Sequence, residues 1–317
     1  MAEAQGRMYE DGQAALTILT HQLRIAGNNP YQTNRLDISE KNPIYTKPVF
    51  NTLVYSGDVL PVFDPSSTPV FALSDFSVRG CDGAFSNITA AASLDGLNCA
   101  TNTAESDSIA LSYEADEFNT VPTVARTPPP TDCLGYPLKR IMATIPGIPS
   151  GQGSGIFTSV PETVFYFVAD NRFYIDTTSV PSLFCQGNGI GSTAQPLVEN
   201  IEDMQITYGV EIPSNQTRTV AGYLRADELL VDSGLVHSDS TATSFTVQER
   251  WRKVVTVRIC LLVRSENAVV SDPASARYVD CAGTLVTAPS DDLRLRRTFS
   301  STVILRNWLE IAVPTSS

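Results

Sequence analysis

Six cysteines, Cys81, Cys99, Cys133, Cys185, Cys260 and Cys281, are the residues whose type and spacing point most directly to chemistry. None forms a CxxC pair with another, and zinc sites are usually built on such close pairs, so metal ligation is a weak expectation. An even, widely spaced set fits three disulfides, which persist in oxidising compartments. Six cysteines allow fifteen connectivities, and the sequence leaves them open. Our working expectation pairs chain neighbours: Cys81 with Cys99, Cys133 with Cys185, and Cys260 with Cys281. Each bond would contribute about 3 kcal/mol by restricting the unfolded chain. The competing account is six buried free thiols.

Other chemistry is poorly supported. Only two histidines occur, His21 and His237. No nucleophile lies near His21 in sequence, so a packed or solvent-edge ring fits it better than a general base. His237 sits in a polar run and reads as solvated. The glycines at 151–155 and 187–191 lack the spacing of a GxSxG elbow or a GxGxxG loop. The sequence contains no P-loop, HExxH or EF-hand pattern. Adjacent acids, Glu202 with Asp203 and Asp291 with Asp292, read as solvated surface rather than acid–base pairs. A loop calcium is conceivable, but nothing in the sequence specifies one, and no other cofactor is expected. Asn87-Ile88-Thr89 and Asn215-Gln216-Thr217 match the glycosylation triplet, a weak signal in a chain rich in threonine. No catalytic residue is expected, and the balance is against an enzyme.

Charge narrows the partners. The 317 residues carry a formal net charge of −12, which repels phosphate backbones and makes nucleic acid a poor default partner. The best local exception is Arg294, Arg296 and Arg297, but Asp291 and Asp292 lie beside it. Only 18% of residues are charged, a balance that suits a loop-rich, strand-rich secreted protein. No apolar run is long enough to span a membrane, and no signal peptide pattern is visible. Disulfides without an export signal lead us to expect that natural sequence upstream is missing.

These residues must be held by a scaffold, and its leading element is a helix over 2–27. Met8, Gly12, Ala15, Leu16, Leu19, Leu23 and Ala26 recur at helical spacing, while Glu10, Gln13, Thr17, Thr20 and Arg24 fill much of the other side. Gly27 followed by Asn28, Asn29 and Pro30 is a strong stop signal. At 1.5 Å per residue the helix would be roughly 37 Å long. Beyond it the chain reads as strand and loop. Strand-like pieces occur within 49–63 and at 70–78, and residues 108–113 alternate. The run 163–169 is apolar on both faces and reads as a central strand. Asp170 and Asn171 would turn it into a hairpin with 172–176. A short apolar piece follows at 182–185. Clear alternation in 203–211, 254–264 and 298–306 predicts half-buried antiparallel strands. Residues 221–230 read as a short helix or a wandering edge, and 146–155, 186–192 and 238–244 as loops. The turn-rich segment 120–133 suggests a division into 1–29, 30–130 and 131–317.

The helix sequence QAALTILTHQLRIAGNN, with PLVENIEDMQITYGVE (196–211), WRKVVTVRICLLVRSE (251–266) and RRTFSSTVILRN (296–307), resembles the PilW family of minor pilins. TDCLGYP around Cys133 and SLFCQGNG around Cys185 add to the likeness. The resemblance implies an α+β, pilin-like fold: a long N-terminal helix packed on antiparallel β-sheets, in two sheets or lobes. It also implies a non-enzymatic subunit that joins other minor pilins to prime type IV pilus assembly at or near the tip, supporting adhesion, twitching motility or DNA uptake. Family members carry a leader and a hydrophobic half-helix that this sequence lacks. The expected natural protein is therefore a periplasmic head anchored in the inner membrane through that half-helix, reaching the cell surface within the pilus. Leu16, Leu19, Leu23 and Ala26 would pack on the sheet. Ala4, Met8 and Gly12 would contact neighbouring subunits, because sheets rarely cover a rod of this length. The alternatives are a J-type pseudopilin of type II secretion and a ligand-binding module at a pilus tip, engaging a surface, DNA or a sugar.

Overall fold

The computed structural model describes residues 2–28, 76–91, 93–101, 106–116, 119–120, 129–145, 162–211, 219–231 and 247–306. The strand pieces expected within 49–63, most of 70–78, and the loops expected at 146–155 and 238–244 lie outside them. So do His237 and the triplet at Asn215.

Helix α1 (Ala2–Ile25) buries one stripe, with Met8, Gly12, Ala15, Leu16, Leu19 and Leu23 on it. It stops where a left-handed residue is needed. Gly27 has φ 70°, its N–H donates to the Ser112 carbonyl at 2.9 Å, and the Asn28 N–H returns to the Ile25 carbonyl at 2.8 Å. A glycine takes that conformation without a Cβ penalty.

Two antiparallel sheets receive the helix. The first is built from β1 (Val78–Cys81), β2 (Ser108–Glu114), β3 (Arg140–Ile145), β4 (Glu162–Asp176), β5 (Ser182–Gln186) and β6 (Gln195–Glu199). Its order is β1-β2-β4-β5-β6, with β3 also paired to β4. It joins strands from both sides of residue 130. The second contains β7 (Ile201–Glu211), β8 (Val220–Leu224), β9 (Val254–Ala268) and β12 (Arg294–Ile304), in the order β12-β9-β7-β8. Between β9 and β12 lies a small hairpin, β10 (Arg277–Val279) with β11 (Leu285–Thr287). Two short helices, α2 (Ala226–Leu230) and α3 (Val247–Arg252), follow β8. The segment 221–230 is thus both an edge strand and a helix.

The alternation in the last third is realised in burial. Met204, Ile206, Tyr208 and Val210 of β7 share the core with Val257, Ile259, Leu261 and Val263 of β9 and Phe299 and Val303 of β12. One apolar cluster joins α1, both sheets and Trp251 of α3. Trp251 packs edge-on against Tyr208 and stacks on Phe76. The alternation of β2, by contrast, does not separate core from solvent, since every residue from Ser108 to Glu114 is buried.

The expected turn at Asp170-Asn171 does not form. Strand β4 runs straight through both residues, which pair with Ser112 and Leu111 of β2. Tertiary partners override the turn preference of Asp-Asn. Asp170 accepts two hydrogen bonds from buried Arg172, and Asn171 is held by side chains of α1 and β2.

Candidate functional site

A helix lying across two sheets must satisfy its polar neighbours on the buried side and leave its other side free. On the buried side three joints hold α1. Near its middle, Gly12 lies against the ring of Phe299, and a Cβ at that position would come within 2.7–2.8 Å of the ring carbons. Tyr9 meets Phe299 edge-on at 5.3 Å between centroids, and the Arg297 guanidinium stands over Tyr9 at 4.8 Å. On the same turn as Gly12, Asn200 donates to Asp11 Oδ2 at 3.2 Å from a left-handed backbone, φ 65°. Burial raises the Asp11 carboxyl above its usual range, and the Asn200 bond only partly offsets this.

The third joint is the most enclosed. Asn171 Nδ2 donates to Gln22 Oε1 at 2.9 Å and reaches the Tyr113 hydroxyl at 3.3 Å. Asn171 Oδ1 accepts the Cys133 N–H at 3.0 Å. Burial pushes the Tyr113 phenol up to about 12, so it stays neutral. Buried amides are tolerated only when paired in this way.

Leu16, Leu19, Leu23 and Ala26 lie buried on the sheets. Met8 and Gly12 do not face outward as expected for neighbour contacts; Met8 is 4% exposed and both are buried. The reason is strand length. The long β9 and β12 reach up beside the first turns of α1, and Arg7 pairs with Glu266 of β9 at 3.1 Å. Ala4 is half-buried. Thr20, assigned to the polar side, is buried too. The exposed side carries Glu10, Gln13, Ala14, Thr17, His21 and Arg24.

The six cysteines close as Cys81–Cys99, Cys133–Cys185 and Cys260–Cys281. The second bond sits in a dense polar corner. Asp132 accepts the N–H groups of Leu134 and Tyr136 through one oxygen and that of Gly189 through the other, all at 2.9 Å.

Other candidates turn out to be structural. Arg296 is held by both oxygens of Glu202 and by Asp292, and it stands 5.4 Å over the Tyr278 ring. Burial works against its charge, yet these partners carry the guanidinium above its usual range. Arg294 also meets Asp292. The expected basic patch is therefore largely neutralised. Glu202 is not solvated surface but a half-buried anchor for Arg296 and Arg264. The Asn87 amide is used internally, donating to the Gly96 carbonyl and accepting the Asn98 N–H. Its triplet thus serves a loop. Among the described residues no group of three or more His, Cys, Asp or Glu is arranged to hold a metal ion. No described helix is long and apolar enough to cross a membrane.

Gln22 and Asp107 went unseen in the sequence, and Asn171 was read only as a turn residue. Gln22 alone carries a signal, because it borders the helix stripe beside Leu19, Leu23 and Ala26.

No curated protein matches the chain. A solved structure, the type IV-like pilin TTHA1219 from Thermus thermophilus, is 12% identical. The likeness covers 66% of this chain and 82% of that one with a TM-score of 0.29. Residues 165–307, which contain the core strands β7, β9 and β12, match the PilW family, described as Type IV Pilus-assembly protein W.

Proposed function

We propose that this chain is a minor pilin, a non-enzymatic subunit that joins other minor pilins and primes type IV pilus assembly at or near the tip. The observation that carries this reading is the PilW match over 165–307, which ties the chain to type IV pilus assembly. The fold supports it physically. One side of α1 is fixed to two sheets by apolar and polar joints, and the other side stays open along its length. A rigid helix with one exposed side suits stacking against neighbouring helices, so we assign docking to the face carrying Glu10, Gln13, Thr17 and Arg24. Three disulfides suit a head exposed to an oxidising envelope compartment.

The test is to mix the purified chain with other minor pilins of the same organism and follow the species by size-exclusion chromatography with light scattering. A stable mixed complex is the expected result. No complex, together with tight binding to DNA or glycans, would overturn the assembly role in favour of a tip ligand-binding module. A complex only with type II secretion pseudopilins would move the chain to that machinery.

A further inference from the structure

The two sheets meet away from the helix at a seam built on carboxylates. Asp107, just before β2, donates its N–H to the Met204 carbonyl at 2.8 Å. Its side chain accepts the Ile206 N–H at 2.6 Å through one oxygen and the Gly83 N–H at 3.1 Å through the other. It therefore ties β7 of the second sheet to the end of β1 in the first. Asp82, just past the end of β1 and next in sequence to Gly83, is buried, and its carboxyl and that of Asp107 act on one another.

We propose that Asp82 and Asp107 share one proton and act as an acid-closed latch between the two sheets. Two ionised carboxylates cannot sit side by side out of water without strong repulsion. Among the described residues the surroundings do not supply the missing positive charge. Asp203 of β7 and Asp227 and Glu228 of α2 face the pair and add negative potential. Arg225 is the cation that faces it, but its guanidinium stays 3.7 Å from Asp82 Oδ2 and is shared with Asp227 at 3.0 Å. Asp82 Oδ2 has no hydrogen-bond partner among the described residues. The Tyr208 hydroxyl is fully buried and also without a partner there, and it lies so close to Gly80 that a Cβ would meet it. Burial raises its phenol well above the usual range, so it brings no charge.

Burial likewise pushes the Asp107 carboxyl up to about 7 and raises Asp82. The two titrate as a pair. The folded chain thus keeps a proton that the unfolded chain releases near pH ~4. The latch's stabilisation is complete below that value and is lost as pH rises through about 7.

The test follows the aspartate side-chain carboxyl carbons by NMR from about pH 3 to 9, alongside thermal melts of the native chain and Asp82→Asn. In Asp82→Asn an amide N–H stands where the shared proton was. We expect one carboxyl of the pair to titrate near neutrality, and the melting temperature of the native chain to fall by several degrees from about pH 5 to 8. Asp82→Asn lessens that fall and lowers the Asp107 carboxyl, while burial still holds it above the ordinary range. The proposal is overturned if both native carboxyls finish titrating below about pH 5. It is also overturned if Asp82→Asn retains the full fall. Should that variant not fold, the carboxyl titration of the native chain decides alone.

Discussion

Asn171, in the middle of β4, donates to Gln22 of α1 across 2.9 Å of buried space. The two residues are far apart in sequence, and their bond fixes how the helix rotates on the first sheet. Its removal should be costly because each partner leaves the other unsatisfied. We expect Gln22→Leu and Asn171→Leu each to lose about 1–3 kcal/mol. The double variant should lose less than the sum, with a coupling of about 0.5–3 kcal/mol. Urea unfolding of the four species measures this, and strict additivity would show that the bond does not set the seat.

Nearer the middle of the helix the seat is a matter of volume. Gly12 leaves no room for a larger residue beneath Phe299. Gly12→Val should destabilise by about 1–3 kcal/mol through overpacking. Gly12→Val with Phe299→Leu should recover part of the loss. Leu19→Asp and Leu23→Asp should unfold the head outright, since each places an unpaired charge in the core at a cost of several kcal/mol. Circular dichroism melts are sufficient to read both effects.

The disulfides should differ in weight. Cys133 and Cys185 are 52 residues apart, against 18 and 21 for the other pairs. Loop restriction predicts a loss of about 4 kcal/mol for the Cys133→Ala, Cys185→Ala variant and about 3 kcal/mol for each of the others. Alkylation without reductant should leave the intact mass unchanged. Labelling at all six positions would contradict the oxidised state.

Asn200 tests a backbone rather than a contact. Its left-handed φ of 65° suits Asn and Gly, while a β-branched residue pays for it. Asn200→Gly should cost under about 1 kcal/mol, the worth of the bond to Asp11. Asn200→Val should cost about 1–3 kcal/mol more. Denaturant midpoints in the reverse order would remove the strain argument.

These residues also show which parts of the fold were legible. Leu19 and Leu23 were readable because helix periodicity alone places them on one face. The strands β7, β9 and β12 were readable because each alternates against one covered face. Asp170 and Asn171 misled because a turn preference is local, whereas Arg172, Tyr113 and Gln22 supply their partners from elsewhere in the fold. Met8 looked free because nothing in the helix reveals how far β9 and β12 extend beside it. Asp107 carried no signal: its importance lies in two backbone donors, one from β7 and one from the bend just after β1.

The docking assignment makes one side of α1 the working surface, and photo-crosslinking in cells examines it most directly. A photoreactive residue at Gln13 or Thr17, on the open side of the helix, should crosslink to other pilins. The same residue at the exposed Ser300 of β12 should not. Adducts from Ser300 with none from Gln13 or Thr17 would contradict the account, because the helix side left open by the two sheets would then not be where the chain meets its neighbours.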